Sequence, residues 1–368
     1  MLFIDNAMVQ SVLTMDECIE VQERAFLGLR TGASIHRPRV DMYVPCERDD
    51  GYWRWGTMEG ASSDLGVFAI RMKSDVITWP RHPDGTWTEE KYCVEPGTYC
   101  GLIFLLSTRN GEPLAMINDG HLQHMRVGGG AGLGVKYLSR PDAHVVGMIG
   151  SGGMARTYLR AFTCVREIHR VRVYSPSTAN REAYAREMSD ELEVEVEPVG
   201  SAEEAVRGAD IVSTCTDSNL PVIQADWLEP GMHVTNLGPA ELPQLLFERA
   251  DVIVRQGQSG VTVPEGDPRF QAGRGHSPAA YIAGTEEEMQ RLPPPAGKEG
   301  FSGRFPSFVD LATGAIRRES ADQITLYLNV GNQGLQFAAV GSLVYERCRE
   351  RNLGRSIPTE WFLQDIRD

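Results

Sequence analysis

Hydrophobic positions recur at helical spacing in some stretches of this chain and gather into short apolar runs in others. In "MDECIEVQERAFLGL" (15–29), Cys18, Ile19, Val21, Ala25, Phe26 and Leu29 mark one side, which predicts an amphipathic helix. "FAIRMKSDVI" and "GLIFLLST" read as strands, and "NGEP" as the turn between "LLSTR" and "LAMIND". "HVVGMI" (144–149) reads as a buried strand, followed by a helix on which Met154, Tyr158, Phe162 and Val165 recur. "VRVY" is the next strand, then come a helix around "ANREAYAREM", a strand in "LEVEVEPV" and a helix opening at "SAEE", where Ser201 and Glu204 form a capping box. "ADIVSTCT", "HVTNLG" and "ADVIVR" add three more strands. This strand–helix alternation predicts a doubly wound parallel sheet. Between Ser259 and Pro306 a Gly- and Pro-rich tract reads as loops and turns, forming a lid or an interface arm. From Asp322 the chain is regular again, with "QITLYLNVG" and a helix "LQFAAVGSLVYERCRE". The parallel sheet already has its strands, so this tail is expected to return to the N-terminal part.

"HVVGMIGSGGMARTYLRAF" carries the first chemistry. Gly150, Gly152 and Ala155 fit the G-x-G-x-x-[GA] spacing: the first for a tight turn, the second for close approach of backbone to a pyrophosphate, the third for packing helix on strand. The helix that follows points its free amides at the phosphates. Motif and context together predict a dinucleotide-binding Rossmann domain. At the end of the second strand, "YSPSTANRE" offers Ser175, Ser177, Thr178 and Arg181 and no acid before Glu182. That suits a 2′-phosphate better than a bare ribose diol, hence NADP rather than NAD, although an isolated arginine is as commonly a solvated helix residue.

Composition narrows the partners. The 368 residues are 42% hydrophobic and 23% charged, with a net charge of −14, the mix of a soluble globular protein. The acidic balance argues against nucleic acid as a partner. No signal peptide and no membrane-spanning run are read, and seven scattered cysteines without a Cys-x-x-Cys pair suit a reducing cytoplasm and no metal site. Trp53, Trp55, Trp79 and Trp87, with "YWRW", suggest either a wide aromatic-lined pocket for a bulky or N-substituted substrate or an ordinary core or interface role.

The stretches "RPRV" (37–40), "RMKSDV" (71–76), "NGEPLAMIND" (110–119), "MRVGGGAG" (125–132), "GMIGSGGMA" (147–155), "VYSPS" (173–177), "VSTCTDSNLPV" (212–222) and "LNVGNQGLQFAA" (328–339) together resemble the ornithine cyclodeaminase/mu-crystallin family. The resemblance implies a homodimer. It also implies a Rossmann-type doubly wound parallel sheet domain (129–318) inserted in an α+β substrate and dimerisation domain (1–128 and 319–368). It places the substrate-carboxylate arginine on Arg39, the active-site lysine on Lys73 and a second arginine, beside substrate and nicotinamide, on Arg126. Gly150, Ser151, Gly152, Gly153, Met154 and Ala155 then line the pyrophosphate, and Thr98, Thr214, Cys215, Thr216, Leu237, Gly238 and Val330 the ribose and nicotinamide half. The chemistry agrees: arginine offers a planar fork to a carboxylate, and a lysine desolvated beside arginines can pass protons near neutrality. Read without the resemblance, Arg39 is as readily an ion pair to Asp41, and Lys73 a snorkelling strand residue.

Departures from the family pattern shape the activity expected. Where ornithine cyclodeaminases carry a catalytic aspartate, this chain has Ala240, with Glu241 one position off. The usual threonine after the second arginine is Val127, and "TMEG" replaces Met-Pro, bringing Glu59 in as a substrate-site acid. The expectation is therefore an enzyme, an NAD(P)-dependent oxidoreductase acting on C–N bonds: a ketimine reductase or amino-acid dehydrogenase moving hydride at a C=N carbon alpha to a carboxylate. Alternatives are a cyclodeaminase using Glu241, and a non-catalytic, NADPH-linked ligand-binding protein.

Overall fold

A computed structural model describes residues 1–81, 88–238, 240–257, 270–274, 277–282, 284–292 and 305–366. Trp87 and most of the 259–306 tract lie outside these residues.

Two sheets organise the chain. The first has ten strands: β1 (Leu2–Ile4), β2 (Ser34–Pro45), β3 (Gly51–Ser62), β4 (Val67–Thr78), β5 (Glu90–Tyr92), β6 (Cys100–Ser107), β7 (Pro113–Asn118), β14 (Phe270–Arg274), β15 (Ser277–Ile282) and β17 (Arg355–Ser356). Their order is β14-β15-β2-β3-β4-β6-β7-β1-β17, with β5 also on β4, and pairing is antiparallel except at β1–β7 and β15–β2. The second sheet has seven strands, β8 (Val145–Ile149), β9 (Arg170–Tyr174), β10 (Glu195–Pro198), β11 (Ile211–Thr214), β12 (His233–Asn236), β13 (Val252–Arg255) and β16 (Thr325–Leu328). All its pairings are parallel, in the order β10-β9-β8-β11-β12-β16-β13. The helices are α1 (Asn6–Val12), α2 (Met15–Thr31), α3 (Gly120–Leu138), α4 (Gly153–Val165), α5 (Thr178–Leu192), α6 (Ala202–Val206), α7 (Gln244–Arg249), α8 (Glu286–Met289), α9 (Phe308–Ala312) and α10 (Gln333–Glu350).

The doubly wound parallel sheet is present, and the strand order reverses between β8 and β11, the switch point at which such sheets open a crevice. Two segments sit elsewhere than expected. "TLYL" of β16 lies between β12 and β13 in the parallel sheet, so the chain returns to the N-terminal part only after about residue 328. All four of its side chains are buried, as a strand covered on both faces requires. Conversely β14 and β15, within the stretch assigned to the nucleotide domain, extend the first sheet beside β2.

α3 joins the two halves and is buried on almost every side. Its glycines make that possible: a Cβ on Gly134 would collide with the Tyr327 ring of β16, and one on Gly128 would meet the Thr157 carbonyl of α4 at 2.5 Å. The intrinsic penalty of glycine in a helix, about 1 kcal/mol each, is offset by this close packing. α10 lays Leu335, Phe337, Ala338, Val340 and Val344 into the core under the first sheet. Apolar clusters cover both faces of the second sheet. Among the described residues, no helix is long and apolar enough to cross a membrane.

Candidate active site

β8 delivers its chain into the glycine turn. Gly150 has φ +109°, and a Cβ there would collide with the carbonyl of Cys215, so only glycine fits. Gly152 is the N-cap of α4, with no side chain capping the helix, and its missing Cβ faces open space. A Cβ on Gly153 would lie 3.2 Å from the His124 ring, Met154 is half-buried, and Ala155 is fully buried and bonded through its carbonyl to the Tyr184 hydroxyl. Uncapped amides over an open cradle fit a pyrophosphate. At the end of β9 the predicted hydroxyls gather: Ser151 Oγ donates to Ser175 Oγ at 2.9 Å, and Ser175 Oγ to the Ser177 carbonyl. Ser177 caps α5, which opens at Thr178. Arg181 Nη1 donates to the Ser175 carbonyl at 2.8 Å while its guanidinium rests against the Tyr174 ring. The arginine is thus held beside the β9-end hydroxyls rather than extended into solvent.

The turns after β11 and β12 are tied together by one buried carboxylate. Glu241 accepts from Thr214 Oγ1 (3.1 Å), the Thr216 amide (2.6 Å) and hydroxyl (2.8 Å), and the Leu237 (3.0 Å) and Gly238 amides. Burial pushes its pKa up, against the pull of these donors. Both oxygens are taken, so the residue braces Thr214, Cys215, Thr216, Leu237 and Gly238 and is not presented as a free base. Val330 follows β16, its carbonyl accepting from the Gly257 amide at 3.1 Å.

The candidate catalytic side chains come from the first sheet. Register sets Asp41, Gly56, Lys73 and Gly101 in one row across β2, β3, β4 and β6, and Tyr43, Arg54 and Asp75 in the next. All share one face. The glycines clear the room: a Cβ on Gly56 would collide with the Asp41 carboxylate, and one on Gly101 with Asp119. Arg39 clasps Asp41 through Nε (2.8 Å) and Nη2 (2.7 Å). This is the ion pair the sequence left open, yet it uses only one edge of the guanidinium, leaving the Nη1–Nη2 edge directed away from Asp41. Arg71 pairs with Asp119 at 2.5 Å and reaches the Tyr99 hydroxyl, and Arg54 pairs with Asp75. Lys73 Nζ donates to Asp75 Oδ2 at 3.1 Å, inside the protein and not snorkelling out of it. Burial first, then Arg54 and Arg39, hold the Lys73 pKa well below the ordinary lysine value.

Arg126 reaches the same region from α3. Its partners are neutral: Gln123 Oε1 (2.9 Å from Nη2), Gln336 Oε1 (2.9 Å from Nη1) and the Phe337 ring, 4.9 Å away. Burial and Arg71 work against its charge, with Arg39 also close enough to contribute. A guanidinium keeps its proton all the same. A buried cation without a carboxylate partner among the described residues suits an anionic ligand. Gln336 is held by Gln22 Oε1 (2.6 Å) and the Arg126 carbonyl (2.9 Å), and Asn329 by the Val127 carbonyl and Tyr158. Sequence reasoning missed Arg54, Asp75, Gln123, His124 and Gln336. Alternation along "YWRWG" and "RMKSD" was the available signal for the first two.

Four residues expected here have other partners. Glu59 alternates to the opposite face of β3 from Gly56 and Lys73, where Arg37 binds both its oxygens at 2.6 Å. Trp53 and Trp55 share that opposite face and stack on each other, 6.4 Å apart, so they do not line a pocket around Lys73. Thr98 bonds the Cys93 and Glu95 carbonyls of its own turn.

Over residues 2–352 the chain matches the ornithine cyclodeaminase/mu-crystallin family, and it belongs to that family. It is 26% identical to an alanine dehydrogenase of Archaeoglobus fulgidus, across 97% of this chain and 98% of the relative. It is also 26% identical to a Δ1-pyrroline-2-carboxylate reductase of Bacillus cereus, across 71% of this chain and 74% of the relative. Among solved structures it resembles Thermococcus litoralis Δ1-pyrroline-2-carboxylate reductase in complex with NADH and L-proline, with a TM-score of 0.75, 25% identity, and coverage of 97% and 100%.

Proposed function

We propose that the protein is an NAD(P)-dependent oxidoreductase that moves hydride at a C–N bond alpha to a carboxylate, as a ketimine reductase or, in reverse, an amino-acid dehydrogenase. The observation that carries this reading is Lys73, a buried amine of lowered proton affinity on the same sheet face as Arg39, with Arg126 close to both Arg39 and Arg71. α3 links this face to the nucleotide turn, because His124, two residues before Arg126, lies against Gly153.

The nicotinamide, when bound, supplies or accepts the hydride. The free edge of Arg39 and the carboxylate-free Arg126 orient the substrate carboxylate, and Lys73 Nζ gives a proton to the imine nitrogen. In the oxidative direction the neutral lysine takes that proton back. Together hydride and proton convert C=N to CH–NH. Relatives named as pyrroline-2-carboxylate reductase and alanine dehydrogenase support this class of reaction. Gly150 and Gly152 provide the pyrophosphate cradle, and Ser175 with Arg181 favours NADPH over NADH. Glu241 is fully engaged by the turns it braces, which speaks against cyclodeamination.

The protein is also proposed to be a homodimer joined through the outer face of the first sheet. Val40, Met42, Val44, Trp53, Trp55, Ile70, Met72 and Phe104 are half-exposed or exposed there and belong to none of the apolar clusters among the described residues.

The test is a panel of cyclic imino acids, and of 2-oxo acids with ammonia or methylamine, followed by NAD(P)H absorbance. Oxidation of NAD(P)H with at least one cyclic or N-alkyl imine is the expected result. Rapid ammonia release and proline formation from L-ornithine overturns it. Silence across the panel with normal cofactor binding favours a ligand-binding protein.

A further inference from the structure

Lys73 shares its carboxylate. Asp75 stands opposite Arg54 in the β3–β4 register and two residues beyond Lys73 on the same face, so the sheet itself brings the three together. Arg54 occupies both oxygens, Nε on Oδ1 at 3.0 Å and Nη2 on Oδ2 at 2.8 Å, and the lysine adds a third bond to Oδ2 at 3.1 Å. Behind Arg54, Glu89 lies 3.4 Å from Nη1. Arg54, Lys73 and Asp75 are all buried.

A carboxylate belonging to the lysine alone would fix it as an ammonium ion. One already neutralised by a two-pronged arginine can aim the amine without holding its charge so firmly. We propose that Asp75 is a positioning residue for the Lys73 amine, and that Arg54, by claiming both oxygens of Asp75, keeps the lysine able to lose its proton. Lys73 is faced by Arg39 and Asp41 from β2, Arg54 from β3 and Lys91 from β5, besides Asp75 on its own strand. Among these, burial, Arg54 and Arg39 outweigh Asp75. The pair therefore acts in opposite senses on one group. This inference rests on Lys73 being the proton-transferring group of the proposed reaction.

The chain has only four lysines, Lys73, Lys91, Lys136 and Lys298. Protein labelled with ¹³C at the lysine ε-carbon therefore gives a spectrum in which Lys73 is assigned by its loss in Lys73→Ala, and its titration is read without substrate. Asp75→Asn is expected to move that titration down by about one pH unit or more, and Arg54→Gln to move it up by a similar amount. The double variant should return close to the parent. If Asp75→Asn leaves Arg54 unpaired and does not fold, Arg54→Gln and the double variant still decide. Lys73 titrating unchanged in Arg54→Gln, or moving in the same direction in both single variants, overturns the inference. Turnover that survives in Lys73→Ala instead overturns the role given to the lysine in the reaction, whatever the titrations show.

Discussion

The seven-stranded and ten-stranded sheets place their chemistry in opposite ways. Both faces of the parallel sheet are covered by apolar side chains, such as Val146, Met148 and Val171 in one cluster and Val212, Val234 and Leu326 in the other. Its candidate cofactor-binding groups gather in turns beyond the strand ends, where uncapped backbone amides, glycines and small hydroxyls come together. The ten-stranded sheet instead carries Arg39, Asp41, Arg54, Arg71, Lys73 and Asp75 in mid-strand on one face, and a half-exposed apolar surface on the other. A sheet buried on both faces cannot hold charges along its strands without partners, so its site moves to the ends. A sheet with one face against a cleft can hold them, provided each finds its counter-ion across the register and glycines leave space.

Breaking the mid-strand site has the largest expected effect. Lys73→Ala should lower kcat by about 10²–10⁴-fold while leaving the cofactor Kd nearly unchanged. Cofactor titration beside turnover checks both halves, and a parallel loss of affinity would erase the division of labour between the sheets. In the parent enzyme, oxidation should accelerate as pH rises through the Lys73 pKa, and reduction should slow over the same interval. Because burial and the arginines lower that pKa, the change belongs below the usual lysine range; kcat/KM profiles in both directions read it.

Damage to the strand-end site should act on the cofactor instead. Gly150→Ala forces a side chain into a left-handed conformation and onto the Cys215 carbonyl, with strain of about 1–3 kcal/mol, so cofactor affinity should fall roughly tenfold or more. Fluorescence titration measures it. On the apolar face, Met42→Asp should shift the proteins to monomers at micromolar concentration, read by light scattering. An unchanged mass would mean that this face is not the dimer contact.

Smaller effects sharpen the contrast. Arg39→Lys should raise KM about tenfold with little change in kcat, because a point charge replaces a fork that binds Asp41 on one edge and, in the proposed reaction, the substrate carboxylate on the other. Arg181→Ala should weaken NADPH a few-fold and NADH hardly at all, the scale expected of a charge contact near the surface. Equal losses for the two cofactors would remove the basis for an NADP preference.

The parts legible in the sequence were those written in neighbouring residues. The glycine turn, the β9-end hydroxyls and the parallel strands follow from local spacing, and the structure gathers Gly150, Gly152, Ser151, Ser175 and Arg181 around one turn. β16 was misplaced because a four-residue apolar strand fits any buried sheet, and nothing local says which gap it fills. Glu59 failed for a different reason. It is near Lys73 in the folded sheet, but the two-residue alternation turns it to the other face.

What the sequence determined by itself was the kind of each element and the backbone chemistry of the nucleotide turn, because helix period, strand run and glycine spacing act over a few residues. It also carried enough of the family pattern to mark Arg39, Lys73 and Arg126. Only the tertiary structure decided what those charges do. Asp41 holds one edge of Arg39, Asp75 divides itself between Arg54 and Lys73, and Arg126 is left with neutral partners. Sheet register and burial set those pairings, and the electrostatic energy of a buried charge depends on neighbours that the linear order does not bring together.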